Sequence, residues 1–220
     1  MKNLFLSSLC LLLLSGCSLS LFNNFKPVPE AADNRKDVFS WFQGDTNRFL
    51  FQSYIDIYSN HFSGLMLIKP LNGNSHRTLF ITEVGIKIFD MEFFRNGDFK
   101  LHYCMDELNR KSIINTLKND IGLMLNNIPE NGKVKTMQEK NSGRTIIKSM
   151  DYNGVRYCFI NKKTNKVDEL IQTGTFLKKV NMRFYSTDGA EIDSINISHY
   201  NLKLNIHLSK IYENRTEISE

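Results

Sequence analysis

The sequence predicts a mainly antiparallel β protein with a single helix set into its middle, and three observations carry the prediction. From Asn47 onward apolar and polar residues alternate with a period of two, the mark of half-buried strands. The runs are separated by turn signals such as Asn72-Gly73-Asn74, Asn96-Gly97-Asp98, Asn153-Gly154 and Asp188-Gly189. These links are too short for crossover helices, so neighbouring strands are antiparallel. Around residues 108–125 the period changes to that of a helix. A sheet of about eleven or twelve strands must curl, and the helix is the natural plug for its concave face.

The chain begins with Lys2 and an apolar run from Leu4 to Leu14. That is a positive n-region and an h-region of about a dozen residues, whereas a membrane-spanning helix needs ~20. The run ends in Leu14-Ser15-Gly16-Cys17, which resembles a lipobox, where bacteria join a diacylglycerol to the cysteine sulfur and cleave just before it. The resemblance implies that residues 1–16 are a lipoprotein signal peptide and that Cys17 becomes a lipidated N-terminus carrying acyl chains such as palmitate. A plain secretory signal with a chance cysteine is the alternative. Ser18 follows, where an aspartate would resemble the signal for retention in the inner membrane, so the expected location is the periplasmic face of the outer membrane. Residues 17–35, with Pro27, Pro29, Ala31 and Ala32, read as the lipidated cysteine and a tether. Residues 36–220 then form a single domain, opening with a short helix around Ala32–Phe42.

In the first strand Phe49, Phe51, Ser53, Ile55 and Ile57 share one face, and Leu50, Gln52, Tyr54, Asp56 and Tyr58 the other. Strands over 61–71, 77–83, 86–94 and 99–104 complete a meander of about five. Next, Leu108, Ile113, Ile114, Leu117, Ile121, Met124 and Leu125 recur at helical spacing, opposite Arg110, Lys111, Lys118 and Asp120. Asp106 is the expected N-cap of a helix of about 18 residues, closed by Asn126-Asn127, Pro129 and Gly132. Strand patterns resume over 133–139, 144–150, 155–161, 167–172, 178–185, 192–200 and 202–208.

A formal charge of +5 is modest and its lysines are scattered, so no nucleic-acid partner is expected. The same lysines suit solvated strand faces beside anionic lipid headgroups. Five histidines without HxxxH or CxxC spacing predict no metal, and no cofactor motif is present. Cys104 and Cys158 lie in apolar strand patterns and are read either as a disulfide permitted by an oxidising envelope or as two buried thiols. No nucleophile elbow or P-loop occurs. The carboxylate pairs Asp90/Glu92 and Glu191/Asp193 each share a strand face and read as solvated or salt-bridged surface, so no catalytic residues are expected.

The segment Arg77-Thr78-Leu79-Phe80-Ile81-Thr82-Glu83-Val84-Gly85-Ile86-Lys87-Ile88-Phe89-Asp90 resembles the strand, Leu-Gly turn and strand of the outer-membrane lipoprotein receptor family LolB and its periplasmic carrier relative LolA. The order of lipobox, tether, antiparallel strands, central helix and further strands is similar too. It also resembles a group of Bacteroidetes lipoproteins. The resemblance implies an unclosed barrel around an apolar cavity for the acyl chains of lipoproteins or phospholipids, and a periplasmic carrier protein as partner. By position Val84 and Gly85 become a membrane-contact turn, with Val84 in place of an exposed leucine and Glu83 where the family pattern has proline.

Candidate interior groups are Phe49, Phe51, Leu65, Leu67, Phe80, Ile86, Ile88, Phe89, Met91 and Phe93 of the strands, with Ile113, Leu117, Ile121 and Leu125 of the helix. Phe80, Phe89, Met91 and the four helix residues are the expected lipid contacts. They line an acyl pocket if the helix leaves a gap and are simply a core if it does not. In the second case the chain is a membrane-tethered scaffold or binding subunit of an envelope complex without lipid cargo. Asp193-Ser194-Ile195 matches the O-glycosylation pattern of Bacteroidetes envelope proteins, which marks Ser194.

Overall fold

In a computed structural model of the chain, the residues described are 24–28, 41–42, 48–71, 75–125, 134–151, 154–174 and 177–212. The signal segment, Cys17 and most of the expected short helix lie outside them.

Among the described residues, thirteen strands form one antiparallel sheet. β1 (Phe25–Pro27) precedes a meander of β2 (Phe49–Ile57), β3 (Asn60–Leu71), β4 (Ser75–Ile81), β5 (Lys87–Phe94) and β6 (Phe99–Cys104). Helix α1 (Lys111–Met124) follows. A second meander then comprises β7 (Val134–Glu139), β8 (Thr145–Asp151), β9 (Gly154–Ile160), β10 (Val167–Thr173), β11 (Lys178–Tyr185), β12 (Ser194–His199) and β13 (Leu204–Lys210). The spatial order is β1-β7-β8-β9-β10-β11-β12-β13-β2-β3-β4-β5-β6, so β13 joins the meanders through β2 and the edges β1 and β6 stay unpaired with each other. The barrel is unclosed, as expected.

The period-two reading of β2 holds: its inner positions are buried and its outer ones half-buried or exposed. Buried residues of both meanders and of α1 form one continuous cluster, which requires the sheet to wrap around the helix. Trp41 and Phe42 close one end of this core. The Trp41 indole donates to the carbonyl of Val167 at 2.7 Å, and Phe42 packs edge-on to Phe49 at 5.2 Å.

Three expectations are corrected. Part of the expected tether belongs to the sheet, since Phe25, Lys26 and Pro27 pair with Glu139, Gln138 and Met137, and Phe25 packs on Tyr157 and Phe159 of the outer face. The helix is shorter than its apolar pattern, because residues 105–110 form tight turns, with Leu108 N–H donating to Met105 and Asn109 N–H to Asp106. Asp106 is therefore no cap; the N-cap is Arg110, without a side-chain bond. Leu65 and Leu67 pair with Gln52 and Leu50, on the outer face, while Met66 and Ile68 point inward. Of the two readings of the cysteines, the structure has the buried thiols: Cys104 and Cys158 are both buried and free. They sit on the edge strand β6 and on β9 of the other meander, each packed as a small apolar group. Burial pushes the Cys158 thiol up to about 12.

Candidate functional site: a covered apolar face and an exposed turn

The inner face contributes Phe51, Met66, Phe80, Phe89 and Met91, all almost fully buried. Helix α1 lays Ile113, Leu117, Ile121 and Met124 onto it. Six of the seven expected lipid contacts, Phe80, Phe89, Met91, Ile113, Leu117 and Ile121, thus meet in one cluster, with Leu125 half-buried at its margin. The helix covers this face and buries it. Beside its first turn a cleft of about 10 Å³, bordered by Ile57, Tyr58, Ile113 and Leu202, has room for about one water.

What holds the helix there is only partly apolar. It has no side-chain N-cap, no acidic residue in its first turn and no basic residue in its last, so neither end of its dipole is compensated by charge and its stability is borrowed from packing. It bridges the two meanders. On one side Gly122 faces the Phe93 ring, and Lys118 Nζ lies 5.1 Å from the centre of Phe99. On the other, Asn119 donates to Gln172 Oε1 at 3.0 Å, and His199 Nε2 lies 2.8 Å from Asp120 Oδ2.

That last pair is the polar feature sequence reading missed. Asp120 falls among the charged positions of the helical pattern, yet it is fully buried, and the His199 side chain is 3 % exposed. Burial pushes the Asp120 carboxyl above the usual range, and the His199 hydrogen bond pulls it partly back. The orphan Nε2 of Gln172 has no hydrogen-bond partner among the described residues. The helix therefore rests on a small polar platform within an otherwise apolar interface. A polar residue breaking the apolar rhythm at position 199 of β12 was the available signal.

The expected membrane-contact turn links β4 to β5. Thr82 N–H donates to the Ile86 carbonyl at 2.8 Å, Gly85 N–H to the Thr82 carbonyl at 2.9 Å, and Ile86 N–H to Thr82 Oγ1 at 3.0 Å. Gly85 has φ +85°, which glycine adopts without cost. Gly64 lets the turn leave the sheet at this height, since a Cβ there would stand 2.0 Å from the Ile81 carbonyl oxygen. The turn exposes Val84 (82 %) and also Ile86 (58 %), an apolar position whose pattern predicts the interior. Glu83 is tied back by Gln52 Nε2 at 3.1 Å, which draws its charge away from the tip.

The remaining singled-out groups are all occupied, and Asp90, expected at the surface, is buried beneath the Arg77 guanidinium. Arg77 holds Asp90 by two bonds of 2.8 Å, and its guanidinium keeps that carboxyl below the usual range. Glu92 accepts from Ser75 at 2.7 Å and lies 2.8 Å from His102. Asp193 accepts from Thr187 and Tyr212, and Glu191 pairs with Lys210. Ser194 is half-buried at the start of β12, between Tyr185 and Ser209.

No protein-family model matches the sequence, and no curated protein matches it. Among solved structures the chain is similar to a domain from Vibrio parahaemolyticus named for outer membrane lipoprotein sorting (8 % identity, TM-score 0.46, covering 84 % of this chain and 92 % of that one). It is also similar to a DUF1329 family protein from Desulfovibrio piger (6 %, 0.42, 76 % and 84 %) and to a LolA superfamily protein from Nitrosomonas europaea (7 %, 0.42, 80 % and 89 %).

Proposed function

We propose that this chain is a lipid-anchored envelope protein, held at the outer membrane through Cys17, whose unclosed sheet receives acyl chains of lipoproteins or phospholipids beneath α1. The observation that carries the reading is the cover itself: one amphipathic helix, uncapped by side chains, lies over the apolar inner face of a sheet whose two edge strands do not meet. Raising that helix would expose a continuous apolar surface of the kind that acyl chains fill. Val84 and Ile86 are the expected contact with the bilayer during transfer, and a periplasmic carrier protein is the expected donor. From Cys17 to Asn24 the chain spans about 25 Å at full extension, so the domain rides close to its membrane.

The near-complete burial of this face in the closed structure favours the second reading, a tethered scaffold that carries no lipid. Mass spectrometry of lipids co-purifying with a periplasmically expressed form beginning at Ser18 separates the two. The carrier reading predicts stoichiometric phospholipid or acylated peptide, lost in Leu117→Glu or Phe89→Glu protein that retains its β circular dichroism. A folded domain that is empty and takes up no fluorescent fatty acid refutes it and supports the scaffold.

A further inference from the structure

The two ends of the sheet differ in chemistry. At the end sealed by Trp41 and Phe42, the turns read Arg95-Asn96-Gly97-Asp98, Lys140-Asn141-Ser142-Gly143, Asn161 to Lys166 and Ser186 to Glu191, without a large apolar residue, and the exposed Tyr212 that follows β13 is tied by its hydroxyl to Asp193. At the other end, the exposed groups include Tyr58 (58 %) between β2 and β3, Leu177 (75 %) before β11 and Tyr200 (55 %) after β12. Three contacts join these segments into one patch. Tyr58 N–H donates to the Lys203 carbonyl at 2.8 Å, Tyr200 N–H donates to the Lys179 carbonyl at 3.0 Å, and Lys178 Nζ lies 5.8 Å from the centre of the Tyr200 ring.

Exposed aliphatic and aromatic groups at turn tips cost solubility unless something covers them. Here they alternate with Lys178, Lys179 and Lys203, and the segments 174–179 and 200–203 contain no carboxylate. Tyrosine favours the headgroup level of a bilayer, and lysine beside it is drawn to anionic lipid. We infer that Tyr58, Leu177 and Tyr200 with Lys178, Lys179 and Lys203 form a second docking surface, fitted to an anionic lipid bilayer. It lies on the same end of the sheet as Val84 and draws Tyr58 from the first meander and the rest from the second, so the rim meets the membrane along several turns rather than at one tip. It requires neither lipidation nor acyl cargo, so it stands or falls apart from the carrier reading.

The test uses the form beginning at Ser18, which keeps every described residue and lacks the anchor. Co-sedimentation is measured with phosphatidylcholine vesicles and with vesicles containing phosphatidylglycerol. Binding is expected to the anionic vesicles and to weaken with added salt. Leu177→Ser with Tyr200→Ser should lower it at least about tenfold, and Lys178→Gln with Lys203→Gln about 25-fold, near fivefold per lysine. Lys162→Gln with Lys163→Gln, at the polar end, should leave it unchanged. A dye on Leu177→Cys should shift to the blue on anionic vesicles, which reports contact even if the double variant folds poorly. Absence of binding and of the dye shift overturns the assignment. So does equal loss in the polar-end control, or capture of an acidic peptide by the patch without any vesicle binding.

Discussion

Replacing Asp120 by leucine tests whether the buried polar platform holds the helix. The carboxylate is fully buried and bonded to a histidine whose side chain is 3 % exposed, at 2.8 Å. Deleting one partner of such a pair leaves the other buried without compensation, at a cost of about 3–5 kcal/mol. For a domain of this size that is roughly 10 °C in Tm. Replacing both, Asp120→Leu with His199→Leu, should recover most of the loss, since an apolar pair leaves no buried polar partner uncompensated. Urea unfolding of the two single variants and the double variant gives the coupling directly. A single-variant cost below about 1 kcal/mol, with no coupling, would refute the reasoning by showing that water already reaches the pair. pH supplies a second arm. Because burial raises the Asp120 carboxyl, the unfolded chain holds fewer protons between its own value and the folded one. The stability linked to the protonated group is thus present in acid and lost as pH rises through the folded pKa. Wild type should therefore lose stability relative to Asp120→Asn on raising pH across that window, and a rising difference contradicts the assignment.

Three further outcomes follow from the packing. Gly64→Ala would place a methyl 2.0 Å from the Ile81 carbonyl oxygen, so the backbone of β3 or β4 must shift. A loss of at least about 2 kcal/mol by thermal melting is expected, with altered amide exchange at residues 81–86. Asp90→Asn removes the bidentate Arg77 contact at a cost of about 1–3 kcal/mol. Because that carboxyl lies below its usual range, its contribution is present above the unfolded pKa and fades as pH falls through the folded one. The variant should accordingly match wild type in strong acid and diverge above it; a pH-independent gap counts against the pair. In the form beginning at Ser18, Ellman's reagent should find almost no reactive thiol in native protein and two after unfolding, since Cys104 and Cys158 are buried and free; a disulfide would give none in either state.

Most of the strand list was legible because a half-buried strand writes its two environments into alternate residues. Phe49 to Ile57 and Lys178 to Tyr185 show this directly. Errors fell where local pattern and long-range contact disagree. Ile86 is apolar and follows a strand, but it stands in the turn whose glycine throws it into solvent. Leu65 and Leu67 are apolar on the outer face, where periodicity across an all-apolar run such as Leu65-Met66-Leu67-Ile68 carries no phase. Phe25 to Pro27 looked like tether because a three-residue edge strand has almost no period to detect.

Sequence alone determined the class of element at nearly every position, the antiparallel sense of the neighbours and the apolar stripe of the helix, because each depends on residues a few positions apart. The tertiary structure decided three other things. It joined the meanders through β13 and β2, filled the inner face with α1, and carried Asp120 inward to meet His199 across 79 positions of chain. No local pattern encodes these, since a pairing between distant segments is selected by the free energy of the whole packed core, in which every surface competes for the same partners.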